Sequence, residues 1–159
     1  MIAVDTYSSS FAFGAIATAL LFVAPVLQRY GGNVVKNLGD SYMALFPAAT
    51  DAVRAALDLV ETIPEQGQFS IRVGIATGPV VAGNVGGGGR QTYTAHGDTV
   101  NMAARLETLN KVYGTTILLD EPTVQAIAGE LPAPLAQIAV RGQSREMRLF
   151  DAASLPEGK

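Results

Sequence analysis

The chain contains no cysteine. Disulfides, thiol catalysis and cysteine-based zinc sites are therefore excluded. It contains one histidine, His96, so a histidine-rich metal site is excluded too. Charge is scarce: 16% of residues are charged, and the net charge is -3. That balance leaves no basic footprint for nucleic acid. There is no internal repeat and no block of like charge. With 159 residues and 48% hydrophobic content, a single domain with a sizeable core is expected.

What is present begins with an apolar stretch. Phe11 to Leu27 (FAFGAIATALLFVAPVL) carries no charge. A membrane span takes about 20 apolar residues. This run is shorter, is interrupted by Gly14 and Pro25, and lacks the basic start of a signal peptide. We read it as a helix buried on most sides and partly in a subunit interface. A membrane-leaning segment is the alternative.

Before that run, Met1 to Val4 reads as a strand ending at Asp5, with Ser8-Ser9-Ser10 as a helix cap. After it, GGNVVKNLGDSYMALFP (Gly31 to Pro47) holds two apolar runs, Val34–Val35 and Tyr42–Phe46. They flank the turn Asn37-Leu38-Gly39-Asp40, a hairpin pattern. At the tip, the Asp40 carboxylate is open to a metal ion. Thr50 to Ile63 reads as a helix with Ala52, Val53, Ala56, Leu57 and Val60 inward. Phe69 to Thr77 alternates as a strand, Gly78-Pro79 turns it, and Val80 to Val85 continues as strand. Gly86 to Gly89 lacks the Lys-Ser/Thr that would make it a P-loop.

TYTAHGDTVNMAARLE (Thr92 to Glu107) reads as strand, turn and helix. Gly97 breaks the strand and Asp98 is placed to cap the helix. Met102, Leu106, Leu109 and Tyr113 form its expected buried stripe. Asn101 and Arg105, four apart, are neighbours on another face. One is a neutral amide; the other is a permanent cation suited to oxyanions. His96 reads as a turn or interface residue. Thr115 to Leu119 is a further strand, and Glu121 to Ile127 a short helix with Pro122 in its first turn. Leu135 to Arg141 and Arg148 to Ala152 form a last hairpin. The domain is expected to span 1–152, with 153–159 as a tail. The element order suits an α+β fold with a βαββαβ core, helices on one face of a mixed sheet.

Three strings, GGNVVKNLGDSYMALFP, IRVGIATGPVVAGNVG and YTAHGDTVNMAARLE, together resemble the catalytic domain of class III adenylyl and guanylyl cyclases. They occur in that family's order and span roughly Tyr30 to Asp120. The resemblance implies the ferredoxin-like cyclase fold and an adenylate cyclase that makes cyclic AMP from ATP. It implies two Mg²⁺ or Mn²⁺ ions held by Asp5 and Asp40, Arg105 on the α-phosphate, and Asn101 orienting the ribose. Lys36 and Thr94 fall on the base-selecting positions, and Thr94 is similar to a bacterial subtype with Thr there. Gln143 stands where the family has a triphosphate-binding Lys, and Arg141 or Arg145 would take its place. The first helical region between Asp5 and Asp40 is shorter than the family usually shows, and the Asp5 motif is loose. The resemblance further implies a cytoplasmic homodimer with sites between subunits. The alternative is a cyclase-homology domain with little or no catalysis, acting in dimerisation or regulation.

Overall fold

Among the described residues, seven strands build one sheet, and side-chain alternation divides the core between its two faces. The computed structural model describes residues 2–7, 23–38, 41–62, 70–86, 89, 92–128, 130–140 and 146–156. The strands are β1 (Ile2–Tyr7), β2 (Asn33–Leu38), β3 (Ser41–Leu45), β4 (Ser70–Ile75), β7 (Ile117–Asp120), β8 (Ala136–Ala139) and β9 (Glu146–Asp151). Their order across the sheet is β2-β3-β1-β4-β7-β9-β8. β4 and β7 run parallel, and the other neighbours pair antiparallel. β5 (Val81–Val85) and β6 (Thr92–His96) form a separate antiparallel ribbon. The helices are α1 (residues 23–29), α2 (Ala49–Thr62), α3 (Asp98–Tyr113) and α4 (Glu121–Ile127). The sequence β1-α1-β2-β3-α2-β4, with strands in the order 2-3-1-4, is the expected βαββαβ core.

The helices do not all lie on one face, which corrects the expectation above. Val26 and Leu27 of α1, Leu59 of α2 and Val124 of α4 pack with Val73, Ile75, Leu119 and Phe150. On the other face, Met102, Ala103 and Leu106 of α3 pack with Leu118 and Leu149. A sheet covered on both sides has strands without polar alternation, and β7 is buried at all four positions. Helix order along the chain does not reveal which face each helix takes.

Close backbone packing explains why α3 sits where it does. A Cβ added at Gly74 would lie 2.2 Å from the Ala103 carbonyl oxygen and 2.3 Å from the Glu107 nitrogen. Only glycine lets α3 approach β4 this closely.

Several local expectations change. Strand β2 runs on through Asn37 and Leu38, with Leu38 opposite Ser41, so the turn is shorter than expected. β1 extends past Asp5 to Tyr7, because Thr6 and Tyr7 pair with Ile71 and Ser70 of β4. On α2, Leu57 is 44% exposed, and Leu59 takes the buried place. Truncating a fully buried leucine such as Leu59 costs about 2–5 kcal/mol. The proposed Ser cap at 8–10, residues 11–22 of the apolar run and residues 157–159 of the tail lie outside the described residues. Among the described residues, no helix is long and apolar enough to cross a membrane.

Candidate active site

The sheet register brings the amino-terminal strand to the tip of the first hairpin. Asp5 on β1 pairs with Ser41 on β3 and, across its other edge, with Arg72 on β4. Ser41 directly follows Asp40 in the chain. Asp40 itself lies outside the described residues, as do Arg141 and Gln143. Among the described residues, no three His, Cys, Asp or Glu side chains gather as a metal cluster.

Lys36 lies on β2 just after an irregularity. The register jumps between Val34, opposite Ala44, and Lys36, opposite Met43. Val35 is the extra residue, and it is buried in the α3-side core. A bulge of this kind resets which residues of the two strands face each other. The hairpin alternation in the sequence does not show it.

Thr94 occupies the middle of β6, half-buried, directly opposite Gly83 of β5. A Cβ built at Gly83 meets nothing within 4 Å, so the ground beside Thr94 is open. β6 packs alongside β2 although the two strands share no sheet. The strands of Lys36 and Thr94 are thus neighbours within one chain.

The helix that follows β6 carries Asn101 and Arg105, both exposed. The guanidinium of Arg105 donates from Nη2 to the Ala139 carbonyl of β8 at 3.1 Å. Asp98 is not the cap. It is the first helical residue, and Gly97 (φ 137°, a conformation suited to glycine) takes the N-cap position without a side-chain hydrogen bond. The buried stripe also differs from the one expected: Tyr113 is exposed, and Asn110 is buried. His96 is exposed at the end of β6, opposite Val81.

Sequence reasoning missed the polar groups that fasten these elements. Asn110, 1% exposed, donates from Nδ2 to the Val73 carbonyl at 2.9 Å and accepts from Thr115 Oγ1 at 2.8 Å. The Thr99 hydroxyl donates to the Pro79 carbonyl at 2.8 Å. Arg72 Nε pairs with Glu107 of α3 at 3.1 Å, both half-buried. Arg148 of β9 holds Glu121 through Nε at 2.9 Å. Asp120, 3% exposed, caps α4 by accepting from Thr123 N at 2.9 Å and also accepts from Thr77 N at 3.3 Å. Burial pushes the Asp120 carboxyl above its ordinary range, while the Thr123 and Thr77 hydrogen bonds pull the other way. The signal for this cap was present: Asp120 stands three residues before Thr123, with Pro122 between them.

The fold is thus a βαββαβ sheet with an added ribbon, and the helix after that ribbon carries an asparagine and an arginine four residues apart. The family described as "Adenylate and Guanylate cyclase catalytic domain" matches residues 14–148, and the chain belongs to it. The terminal-differentiation specific adenylate cyclase of Dictyostelium discoideum is 32% identical over 151 residues, which is 84% of this chain and 7% of that protein. Adenylate cyclase 1 of Rhizobium meliloti is 32% identical over 147 residues, 82% of this chain and 22% of that protein. The chain thus spans less than a quarter of the length of either relative. The guanylate cyclase domain of a Catenaria anguillulae protein, solved in complex with GTP, superposes with a TM-score of 0.75 at 27% identity. That superposition covers 93% of this chain and 91% of the other.

Proposed function

We propose that this chain is an adenylate cyclase domain of the subtype with Thr at the base-selecting position. It converts ATP to 3′,5′-cyclic AMP and pyrophosphate at sites formed between two copies of itself. The observation that carries the reading is the meeting of β2 and β6, the strands of Lys36 and Thr94. Adenine offers a bare acceptor at N1 and a donor at its 6-amino group. A lysine ammonium donates to the first, and a threonine hydroxyl accepts from the second. Guanine carries a donor at N1, so a lysine there disfavours it. The two adenylate cyclase relatives support the same choice. The GTP-bound relative keeps guanine as the competing base.

The reaction needs the ribose 3′-hydroxyl placed against its own α-phosphate. Asn101 orients the ribose, and Arg105 moves from the Ala139 carbonyl to the α-phosphate, where negative charge builds up. Arg141 neutralises the outer phosphates. Asp5 and Asp40 fit a divalent ion by chemistry, both being hard oxygen donors, and Asp5 pairs with Ser41, the residue after Asp40 in the chain. Two Mg²⁺ or Mn²⁺ ions held there would polarise the 3′-hydroxyl and offset phosphate charge. Gln143, uncharged where the family has a lysine, supports the second reading, a catalytically weak module for dimerisation or regulation.

The test is product formation from ATP and from GTP with Mn²⁺ and with Mg²⁺, beside Asp40→Ala. Cyclic AMP that disappears in Asp40→Ala is the expected result. A folded dimer that makes no cyclic nucleotide with either metal overturns the cyclase reading in favour of the regulatory module.

A further inference from the structure

Helix α3 is tied to β4 and its continuation by side-chain hydrogen bonds at both ends. Near its start, Thr99 donates to the carbonyl of Pro79 at 2.8 Å. Near its finish, Asn110 donates to the carbonyl of Val73 at 2.9 Å. The helix therefore runs antiparallel to β4, with one acceptor at each end. The dimensions agree: eleven residues of helix rise about 16 Å, and six extended residues span at most about 20 Å. Between the two ties, Gly74 brings strand backbone against the backbone of Ala103 and Glu107.

Asn101 and Arg105 lie between the ties, on the exposed side of the same helix. Apolar packing alone resists separation of helix and sheet but only weakly resists sliding along the strand, because it is non-directional. Hydrogen bonds to fixed carbonyls are directional. The Asn110–Val73 bond is buried, where leaving the acceptor unpaired is costly, and the Thr99–Pro79 bond is part-buried. Each side chain is itself held. Asn110 accepts from Thr115 Oγ1, and Thr99 is 8% exposed. The Pro79 segment is anchored in turn, because Thr77 donates to Asp120 and its hydroxyl meets that of Thr123 at 2.8 Å.

We infer that Thr99 and Asn110 are positioning residues: they set the axial place of α3, and through it the placement of Asn101 and Arg105 on the substrate. The kinetic arm of the test rests on the cyclase reading; the structural arm does not.

Thr99→Val keeps the side-chain volume and removes the donor. Thr108→Val makes the same change on the same helix, at an exposed hydroxyl whose hydrogen bonds stay within α3. A displacement of about 1 Å costs on the order of a hundredfold in rate. Thr99→Val is thus expected to lower kcat for ATP by about tenfold or more, with KM moving much less. Thr108→Val stays near wild type, and Thr99→Ser restores most of the rate. A Thr99→Val loss no larger than that of Thr108→Val, or one that Ser does not restore, overturns the proposal. Asn110→Ala, judged by hydrogen exchange, should loosen amides 106–113. Should the wild-type chain form no cyclic nucleotide from ATP or GTP, the cyclase reading fails, and hydrogen exchange alone decides the positioning role. Thr99→Val must then speed exchange at amides 100–105 beyond Thr108→Val. Equal exchange in the two variants overturns it.

Discussion

Asp5 on β1 stands in register with Ser41 on β3, so the amino-terminal strand and the tip of the first hairpin belong to one end of the sheet. The residue before Ser41 is Asp40. In the proposed dimer, this end of one copy meets Asn101 and Arg105 of the other. Asp40→Ala and Arg105→Ala proteins, each inactive alone, are then expected to recover activity on mixing. Random exchange makes half the dimers mixed, each with one intact site of two, so recovery should reach about a quarter of wild type. Cyclic AMP assays before and after subunit exchange check this; no recovery from exchanged dimers would place the whole site within one chain.

Base choice should follow Lys36. Lys36→Glu exchanges a donor for an acceptor opposite N1 of the base. A site built to hydrogen-bond one group rejects its mismatch strongly. The variant is expected to lose about a hundredfold or more in kcat/KM for ATP and to shift its preference toward GTP. Paired assays with the two nucleotides read the ratio, and an unchanged ratio would remove Lys36 from base selection.

Gly74→Ala should destabilise the fold rather than adjust it. Its methyl would fall 2.2 Å from a helix carbonyl oxygen, and backbone cannot rotate away as a side chain can. Overpacking of this kind costs about 1–3 kcal/mol, at times more. Urea unfolding measures it, and a variant as stable as wild type would mean that α3 can lift from β4 without penalty.

Asp120 gives a pH dependence of defined sign. Burial raises its carboxyl in the folded chain above the ordinary value it regains on unfolding. Between those two values, the folded chain holds more protons than the unfolded one. The contribution of this group to stability therefore falls as pH rises through that window, and its cost vanishes below it. The stability of Asp120→Asn minus that of wild type should grow with pH across the window and level off above it. Unfolding midpoints of both proteins from about pH 4 to about pH 7 test this. A flat difference would mean that Asp120 titrates alike in both states.

Much of the local structure was legible. The short helix Glu121–Ile127 was readable from Pro122 in its first turn, and the break between β6 and α3 from Gly97. The hairpin strands were readable from their apolar alternation, because each signal is confined to a few adjacent residues. The bulge at Val35 was not legible, since a continuous Val34–Val35 pair looks the same with or without one. Leu57 and Leu59 show the same limit: both are apolar and two apart on a helix, and only the position of the sheet decides which is buried. Of the residues named for the site, Asn101 and Arg105 were placed by helical spacing alone. The neighbourhood of Lys36 and Thr94 depends on β6 reaching β2, a contact between residues far apart in the chain.

The sequence by itself determined the element order, the βαββαβ core, the family, and the residue types available for chemistry, including the absence of thiol groups. These follow from patterns a few residues long and from composition. The tertiary structure alone decided that α3 takes the face opposite α1, α2 and α4, that Gly74 admits it against β4, and that Thr99 and Asn110 hold it at both ends. These depend on which distant carbonyls and side chains come to share one place. A helix face and a strand each carry two or more possible partners until packing selects among them.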